Sequence, residues 1–388
     1  MAVNWILGSD VGNPLNVIIF SSIVHRRYQA KQYFMRKKMV QKRKHTGDEN
    51  PFEHTSRAPI VLVEKMGPGD GGQQVRIPML QPLQRSMKVG DTSTWEATDN
   101  SAYTRGVESM IDYEERIRTL NARIWVQNMQ HSAAMYDPYL QDLRLAFRAS
   151  LKVSDLLSNW YSNAKEELYL DALYDRFASH ITGSSLASAA VHPNILLPQG
   201  VATPEQLGPA HTLTGALLRG ARGWIETTGF LAPLDSGDQN GYILLTHPYC
   251  QEDILRDPEV FNALKDARPR SVDHPILKGA DYEYAGFYLF SYSRVRRPDA
   301  SYENFASIRR NLIMGADCLL EAETYRPMIV PRTENKYRTV AGWGIKSING
   351  QARPDFVDAD SANPINQSSA ELWCYTNATG GVSTFSPG

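Results

Sequence analysis

Apolar residues recur at helical spacing through a long part of the chain that contains neither proline nor glycine. Asp137 and Pro138 precede this part as an N-cap and a favoured first helical residue, and Gly183 follows it as a C-cap. The pattern predicts one helix from Tyr139 to Thr182, roughly 65 Å long at about 1.5 Å per residue. Because its apolar positions change phase along its length, the helix is expected to meet several partners. The three groups that differ in phase are Leu140, Leu143, Phe147 and Leu151; Leu156, Trp160, Ala164 and Leu168; and Leu170, Leu173, Tyr174, Phe177 and Ile181.

Before this helix, short apolar runs alternate with turn-prone polar segments. Residues 59–64 form a strand candidate, a second follows at 74–80, and residues 107–113 and 120–127 are interpreted as returning strands. The part from 60 to 115 is therefore expected to be an extended two-stranded loop. It has too little apolar surface to be stable alone, so it is expected to lie against another chain. Candidate interface positions in this loop are Val75, Ile77, Met79 and Trp95.

After the long helix, the pattern changes to mixed helices and strands. Residues 212–226 are expected to form a shorter helix, 253–265 a helix interrupted at Pro258, and Leu372–Tyr375 a strand near the end. Strands are also expected at 241–246 and 284–292, with further ordered segments at 312–322 and 336–348. The element order indicates an α+β protein with an inserted domain, because βαβ units do not alternate along the chain.

The net charge of −1 conceals a strong asymmetry. Residues 1–47 contain nine Lys and Arg and the single acid Asp10, a net charge of +8, which leaves 32 basic and 41 acidic residues in the rest of the chain. A basic arm on an acidic body indicates a partner, either nucleic acid or the acidic body of a neighbouring copy. A solvated helix face, within an arm that looks helical from Asn13 to His45, is the alternative. The candidate interface or DNA-facing residues are Arg26, Arg27, Lys31, Arg36, Lys37, Lys38, Lys42, Arg43 and Lys44.

Motifs for catalysis, metal or cofactor binding are weak. The run Gly67–Gly72 lacks the Gly-Lys-Ser/Thr ending of a phosphate loop, and His247 with Cys250 would supply only two metal ligands. The acid pairs Glu114/Glu115, Glu166/Glu167 and Glu321/Glu323 show no sign of the divergent environments that general acid–base chemistry needs. The chain is therefore expected to have no catalytic residues, metal or cofactor. Three widely spaced cysteines indicate a reducing compartment without structural disulfides, and no segment predicts a membrane span.

Several segments, taken in order over residues 59–350, resemble the major capsid proteins of tailed bacteriophages, in particular the family found in large-genome podophages. The segments that carry this resemblance are Pro59–Lys65, Gly72–Pro78, Lys88–Thr94, Val107–Tyr113, the long helix preceded by Tyr136–Pro138, Tyr242–Pro248, His274–Gly279 and Asn311–Ala316.

The resemblance implies a Hong Kong 97-like phage capsid fold of the α+β class, with a long spine helix, an extended two-stranded loop and an inserted axial domain. It implies the extended loop at 59–116, a peripheral domain at 117–182 and 331–362 and the axial domain at 183–330, which leaves a basic N-terminal arm at 1–58 and a C-terminal tail at 363–388. The long, very basic arm departs from the family's usual shape.

The function implied is a major capsid protein that self-assembles into the icosahedral head shell around the phage double-stranded DNA. The expected partners are copies of itself in hexamers and pentamers, the packaged DNA, the portal, and scaffolding or decoration proteins, with no membrane. The expected location is the virion, after assembly in the host cytoplasm. Two alternatives stay open: a nucleic-acid-binding structural protein that uses the basic arm, and a hydrolase or transferase with an unrecognised site.

Overall fold

The computed structural model describes most of the chain in separate ranges. The described residues are 31–44, 58–64, 74–80, 119–136, 149–174, 194–228, 231–235, 240–267, 281–298, 306–332, 340–357, 364–366 and 368–377.

Helices and strands are both abundant in these ranges, as expected for an α+β protein. The helices are α1 Tyr33–Arg36, α2 Ala149–Tyr174, α3 Gly215–Thr228, α4 Pro248–Arg256 and α5 Pro258–Ala267, with a 3-10 turn at Pro204–Gln206. The strands are β1 Val40–Lys44, β2 Ile60–Glu64, β3 Gln74–Leu80, β4 Thr119–Trp125, β5 Gln127–Tyr136, β6 Ile195–Leu196, β7 Leu234–Asp235, β8 Asn240–Thr246, β9 Tyr282–Tyr284, β10 Phe287–Ser291, β11 Ile308–Met314, β12 Leu319–Pro331, β13 Val340–Ala352, β14 Asp355–Val357, β15 Pro364–Asn366 and β16 Ser369–Tyr375.

Within the described ranges, one sheet has five strands in the order β1-β2-β12-β13-β5. The strands β1, β2 and β12 run parallel, whereas β13 pairs antiparallel with both β12 and β5. Helix α2 lies against this sheet, where Leu157 and Tyr161 form a buried cluster with Ile329 and Ile345. This five-stranded sheet and α2 form the first layer pair of the fold.

The long predicted helix is confirmed over Ala149–Tyr174. Residues 137–148 and 175–183, where it was expected to begin and end, lie outside the described residues. The second of the three groups of apolar positions predicted on this helix is wrong, because Leu156 is 62% exposed while Leu157, Tyr161 and Tyr169 are buried. The buried positions lie one residue later along the chain. The sequence pattern did not identify them because they include polar residues, among them Lys165, that a hydrophobic pattern leaves out.

A second sheet, also counted within the described ranges, has seven strands, ordered β6-β16-β11-β8-β10-β9 with β7 on β8. Both faces of its centre are covered. Ile243 and Leu245 of β8 pack in a core cluster with the C-terminal turns of α2, and Tyr242 and Leu244 pack in another cluster with α3, α4 and the start of α5. A strand buried on both faces is apolar at successive positions, which explains why this strand was predicted from sequence.

The predicted break at Pro258 is confirmed and has a simple cause. Asp257 ends α4 and caps α5, since its Oδ1 accepts the backbone N–H of Glu259 at 3.1 Å. Pro258 then occupies the first position of α5, where its missing N–H is harmless. The predicted helix at 212–226 is likewise confirmed as α3, and the predicted strand at 372–375 as part of β16.

Two predictions of local structure are wrong. The arm was expected to be helical to His45, but Val40–Lys44 is strand β1, paired in parallel with β2. Helix α1 ends because Lys38 adopts a left-handed conformation, with φ of 58°, and pairing with β2 then outweighs the helix propensity of lysine and arginine. The single strand expected at 284–292 is instead the hairpin β9–β10, because Ala285 and Gly286 both have positive φ.

Candidate functional site

The basic segment is part of the folded body from Lys31 to Lys44. Phe34 and Met39 are completely buried and belong to the same core cluster as Leu312 of the seven-stranded sheet. The two apolar side chains therefore anchor a segment whose other residues are mostly charged or polar. Arg26 and Arg27, which the sequence also singled out, lie outside the described residues.

Aromatic contacts hold this segment in place. The ring centroid of Phe34 lies 5.6 Å from that of Tyr169 on α2 and 5.8 Å from that of Tyr292. The rings of Tyr33 and Tyr292 are 4.5 Å apart, and the hydroxyl of Tyr33 donates to the carbonyl oxygen of Ser291 at 3.1 Å. Burial raises the pKa of both Tyr33 and Tyr292 well above the ordinary tyrosine value, so both hydroxyls stay protonated as donors.

Glu166 on α2 joins three parts of the chain. Its carboxylate accepts hydrogen bonds from the backbone N–H of Tyr33 and, at 3.3 Å, from the hydroxyl of Tyr292. Nη1 of Arg294 lies 3.4 Å from Oε2 of Glu166 and also 3.4 Å from Oε1 of Glu167. Glu166 is only 7% exposed, so these partners compensate the desolvation of its charge. Glu166 and Glu167 point in different directions, as the helical spacing predicts, and both are used in ion pairs.

The described cations of the segment have different surroundings. Lys31 donates from Nζ to Oδ1 of Asn159 on α2, and Nζ of Lys37 lies 5.2 Å from the ring centroid of Phe290. Arg36 and Lys38 are exposed. The remaining three, Lys42, Arg43 and Lys44, belong to β1, an edge strand of the five-stranded sheet within the described part. Charged residues on an edge strand oppose pairing with a further chain.

The residues that hold the segment to the body were not among those expected from the sequence. Tyr292 and Arg294 follow strand β10 directly, and a neighbouring arginine, Arg296, forms an ion pair with Asp171 of α2. The signal available in the sequence was complementary charge, since Arg294 and Arg296 match the acids Glu167 and Asp171 on the long helix. Charge alone does not give the pairing, however, because the two segments are separated by more than one hundred residues.

Strands β3 and β4 form a two-stranded antiparallel ribbon, and in the described part of the chain they pair with no other strand. The candidate positions Val75, Ile77 and Met79 all lie on β3, and in register they face Ile124, Ala122 and Leu120 of β4. The expected return strand at 120–127 is thereby confirmed. The earlier candidate return strand at 107–113 and the candidate Trp95 lie outside the described residues.

The ribbon is attached closely to the five-stranded sheet. Strand β4 continues through Val126 into β5, and Ile124 is completely buried. At Gly350 of β13 the two backbones approach so closely that an added Cβ would overlap the carbonyl oxygen of Trp125. Glycine is therefore required at this crossing, which fixes where the ribbon leaves the sheet.

His247 and Glu321, two of the residues considered as metal ligand or acid, make structural contacts. His247 caps α4, its Nδ1 accepting the backbone N–H of Tyr249 at 3.2 Å, and burial together with the positive charges of Arg309 and Arg297 lowers its pKa to about 4. Glu321 forms an ion pair with Lys165 at 2.6 Å, and both side chains are completely buried. The loop Gly67–Gly72 and the pair Glu114/Glu115 lie outside the described residues.

The thiols are also buried. The hydrogen bond with Cys250, followed by burial, raises the pKa of Cys374 well above the ordinary thiol value, and burial does the same for Cys318. In the described ranges, no group of three or more His, Cys, Asp or Glu side chains lies together in a way that could hold a metal ion. None of the helices described here combines the length and apolarity that a membrane span needs.

Comparison with known proteins gives matches at the level of structure only. No family model matches the chain, and no curated protein matches it in sequence. The capsid of Ralstonia phage GP4 is similar with a TM-score of 0.65 and 15% identity, over 90% of this chain and 92% of that one. The cyanophage Pam1 capsid is similar with a TM-score of 0.55 and 15% identity, over 87% of this chain and 97% of that one.

A third similar structure is the capsid of Helicobacter pylori bacteriophage KHP30, with a TM-score of 0.56 and 12% identity, over 83% of this chain and 89% of that one. In all three cases the match extends over most of both chains, so it concerns the whole arrangement of elements and not one shared motif. The chain therefore has the α+β, Hong Kong 97-like fold of tailed-bacteriophage capsid proteins.

Proposed function

We propose that this chain is a major capsid protein that self-assembles into the icosahedral head shell enclosing a phage double-stranded DNA genome. The observation that carries the proposal is the similarity to the Ralstonia phage capsid, which spans nine-tenths of both chains at a TM-score of 0.65. A match of this extent accounts for the fold of most of the chain. The proposed role is structural, with no catalytic residue, metal or cofactor.

The two sheets support a division into peripheral and axial domains. The five-stranded sheet with α2 as the spine helix corresponds to the peripheral domain proposed at 117–182 and 331–362. The seven-stranded sheet corresponds to the axial domain proposed at 183–330. Four of the described strands in these two sheets lie outside the bounds proposed for their sheet. In the five-stranded sheet, β1 comes from the arm at 1–58, β2 from the loop at 59–116 and nearly all of β12 from the axial range at 183–330. In the seven-stranded sheet, β16 comes from the tail at 363–388 and pairs with β11.

The ribbon β3–β4 corresponds to the extended loop proposed at 59–116, with its return strand continuing to Trp125. We propose that it lies over a neighbouring subunit, because an isolated two-stranded sheet is marginal in water and gains stability from an apolar surface outside itself. Val75, Ile77 and Met79 on β3, with Trp95, are the proposed contact residues. One sequence must serve both hexamers and pentamers, and a ribbon that pairs with no further strand in the described part of the chain can adjust its angle between them.

The basic arm is proposed to lie inside the shell or between subunits. Among its described cations, Arg36 and Lys38 are exposed and therefore available to DNA or to an acidic neighbour. The rest of the chain, beyond residue 47, is acidic, which suits an inner surface that must not hold the genome tightly. The portal and scaffolding or decoration proteins are further proposed partners, and the proposed location is the virion after assembly in the host cytoplasm.

Expression of the full chain followed by electron microscopy tests the proposal. Closed shells of uniform size are expected, either directly or in a series of salt and crowding conditions. The matched variant Ile77→Asp, on the ribbon, should keep the circular dichroism of the wild type and lose the shells. Wild-type protein that stays monomeric under every condition would overturn the proposal.

The role of the arm needs a separate test. Changing Arg36, Lys37 and Lys38 to glutamate should reduce shell formation or DNA filling, because it reverses three charges at a proposed contact. The matched control exchanges each for the other cation, Arg36→Lys, Lys37→Arg and Lys38→Arg, and should assemble normally. Normal, filled shells from the glutamate variant would mean that the positive charge of the arm is needed neither for assembly nor for DNA filling.

The alternative function is a nucleic-acid-binding structural protein that uses the arm as a clamp. It is less favoured, because Lys31 and Lys37 are engaged within the chain and Phe34 holds the segment against the body. A clamp that neutralises several phosphates would lose affinity steeply as salt rises. Binding of unassembled subunits to duplex DNA, measured from low to moderate salt, separates the two functions.

A further inference from the structure

Two cysteine sulphur atoms lie in contact inside the seven-stranded sheet domain. Sγ of Cys250, on α4, is 3.6 Å from Sγ of Cys374, on β16, and both residues are completely buried. They are separated by 124 positions in the sequence, so their meeting is a product of the tertiary fold. Both are free thiols in this structure.

One polar side chain orients the two sulphurs. Nδ2 of Asn311 lies 2.9 Å from Sγ of Cys374 and 3.8 Å from Sγ of Cys250. The other end of this amide is fixed as well, because its Oδ1 accepts the backbone N–H of His247 at 3.3 Å. Arg309 stands directly opposite Cys374 in the β11–β16 ladder and is 3% exposed. The hydrogen bond with Cys250, followed by burial, raises the pKa of Cys374 and keeps it protonated in the closed fold, so its thiolate, the form that reacts with oxidants, becomes available during local opening.

We propose that Cys250 and Cys374 are a modification site, at which a hydroperoxide converts the two thiols into a disulfide after the protein leaves the reducing cytoplasm. The peroxide oxidises one thiol to a sulfenic acid and is reduced to water. The second thiol then attacks the sulfenic sulphur, the S–S bond forms, and a second water leaves. Two thiols and one hydrogen peroxide thus give one disulfide and two waters, with two electrons passing from sulphur to peroxide oxygen.

The geometry requires a small movement. A disulfide has an S–S distance of roughly 2.05 Å, so the sulphurs must approach by about 1.5 Å from their present contact. Cysteine turns about one side-chain torsion, and α4 is a short helix bounded by His247 and Asp257, so the approach needs no rearrangement of the sheet. Hydrogen peroxide is small enough to reach buried sulphurs during local opening.

The bond would fasten β16 into its sheet. This strand lies between β6 and β11, and its other attachments are the hydrogen bonds and packing of the sheet. A covalent link to α4 closes a loop of more than one hundred residues and restricts the unfolded chain. Only the setting of the oxidation, a particle released from its host, rests on the proposed capsid function; the chemistry can be tested on subunits that never assemble.

The third cysteine provides an internal control. Cys318 is equally buried but belongs to the core cluster on the opposite face of the sheet, away from Cys250 and Cys374. Non-specific oxidation would therefore affect all three thiols, whereas the proposed reaction spares Cys318.

The experiment treats fully reduced, full-length protein with hydrogen peroxide, then alkylates, digests and maps the peptides without reductant. The expected result is one reducible peptide pair joining Cys250 and Cys374, alkylated Cys318, and a melting temperature higher by roughly 3–6 °C than in reduced protein. Cys318→Ser should still form the pair, and Cys250→Ser and Cys374→Ser should not. A pairing that includes Cys318, sulfinic acid without a linked pair, or three thiols that stay free would overturn the inference. Because no readout depends on shells, failure here leaves the capsid proposal standing, and failure to assemble leaves this one standing.

Discussion

The buried ion pair between Lys165 of α2 and Glu321 of β12 offers the sharpest test of how the helix is held to the sheet. Both side chains are completely buried, with Nζ and Oε1 separated by 2.6 Å, and the hydroxyl of Tyr169 donates to the other carboxylate oxygen. Replacing Lys165 by methionine keeps much of the side-chain volume but leaves the Glu321 charge without its cation. A second acid, Glu323, is 4% exposed on the same strand, so like-charge repulsion would be added.

The expected cost follows from the burial. Breaking a buried pair by removing one partner costs about 3–5 kcal/mol, because the remaining charge is neither hydrated nor matched. Replacing both partners with apolar residues of similar volume is neutral or stabilising, by about 1–4 kcal/mol in measured cases. We therefore expect Lys165→Met to lower the free energy of unfolding by about 3–5 kcal/mol and the double variant Lys165→Met, Glu321→Leu to recover most of it.

Urea unfolding of unassembled subunits, followed by circular dichroism, measures these differences, provided that the dependence on urea is unchanged. Lys346→Met is the matched control, because Lys346 is exposed on β13 and its loss should change stability by no more than about 0.5 kcal/mol. The single variant Glu321→Leu completes the comparison. If Lys165→Met costs as little as the control, or if the costs of Lys165→Met and Glu321→Leu add in the double variant, the ion pair does not hold helix and sheet together as described.

Three further changes test other parts of the structure. Phe34→Ala should lower the free energy of unfolding by about 3–5 kcal/mol in the same urea assay, because it empties a fully buried site, and an effect below about 1 kcal/mol would mean that the basic segment is not anchored there. Gly350→Ala should prevent normal folding, since the added Cβ would overlap the carbonyl oxygen of Trp125. Gly344→Ala is the control, because the atom nearest to its added Cβ is 3.5 Å away, and this variant should melt close to wild type. Similar melting temperatures for the two variants would contradict the close crossing. The pKa of His247 is about 4 in the folded protein and about 6.5 in the unfolded chain, so the unfolded chain takes up the proton first and stability should fall as pH drops from about 6.5 to about 4. His247→Asn, which can still cap α4, should flatten that part of a profile of melting temperature against pH. An unchanged slope would count against this role of His247.

The elements predicted well from sequence are those whose signals are local. The break at Asp257–Pro258 is specified by a capping residue and a proline that are adjacent in the chain. The strand at 241–246 is specified by successive apolar residues, since both of its faces are covered. The body of the long helix is similarly specified by a stretch without proline or glycine.

The errors occur where a distant partner decides. Strand β1 looks helical in isolation and becomes a strand because β2 offers it a parallel edge. The buried stripe of α2 includes Lys165 and Glu166, which a hydrophobic pattern assigns to the surface, because their partners Glu321 and Tyr292 lie more than one hundred residues away. The turn at Ala285 and Gly286 has only its glycine as a sequence signal, because alanine rarely adopts a positive φ.

The same limit applies to the candidate site. The sequence identified the basic segment and the loop strand correctly as unusual features, but it could not show that Phe34 anchors the segment or that Arg294 meets Glu166. The overall fold was nevertheless accessible, because the order of motifs along the chain resembles a known family, and that expectation of the fold is confirmed by the structural similarities.

The position of β16 has a consequence for timing during synthesis. This strand, at residues 369–375, pairs with β11, whose residues 308–314 leave the ribosome earlier. At roughly 5–20 residues per second, about 3–12 s pass between the emergence of Met314 and that of Tyr375. Until then β11 presents an unpaired apolar edge formed by residues such as Leu312 and Ile313, and a chain still held by the ribosome lacks a finished seven-stranded sheet to present to its neighbours.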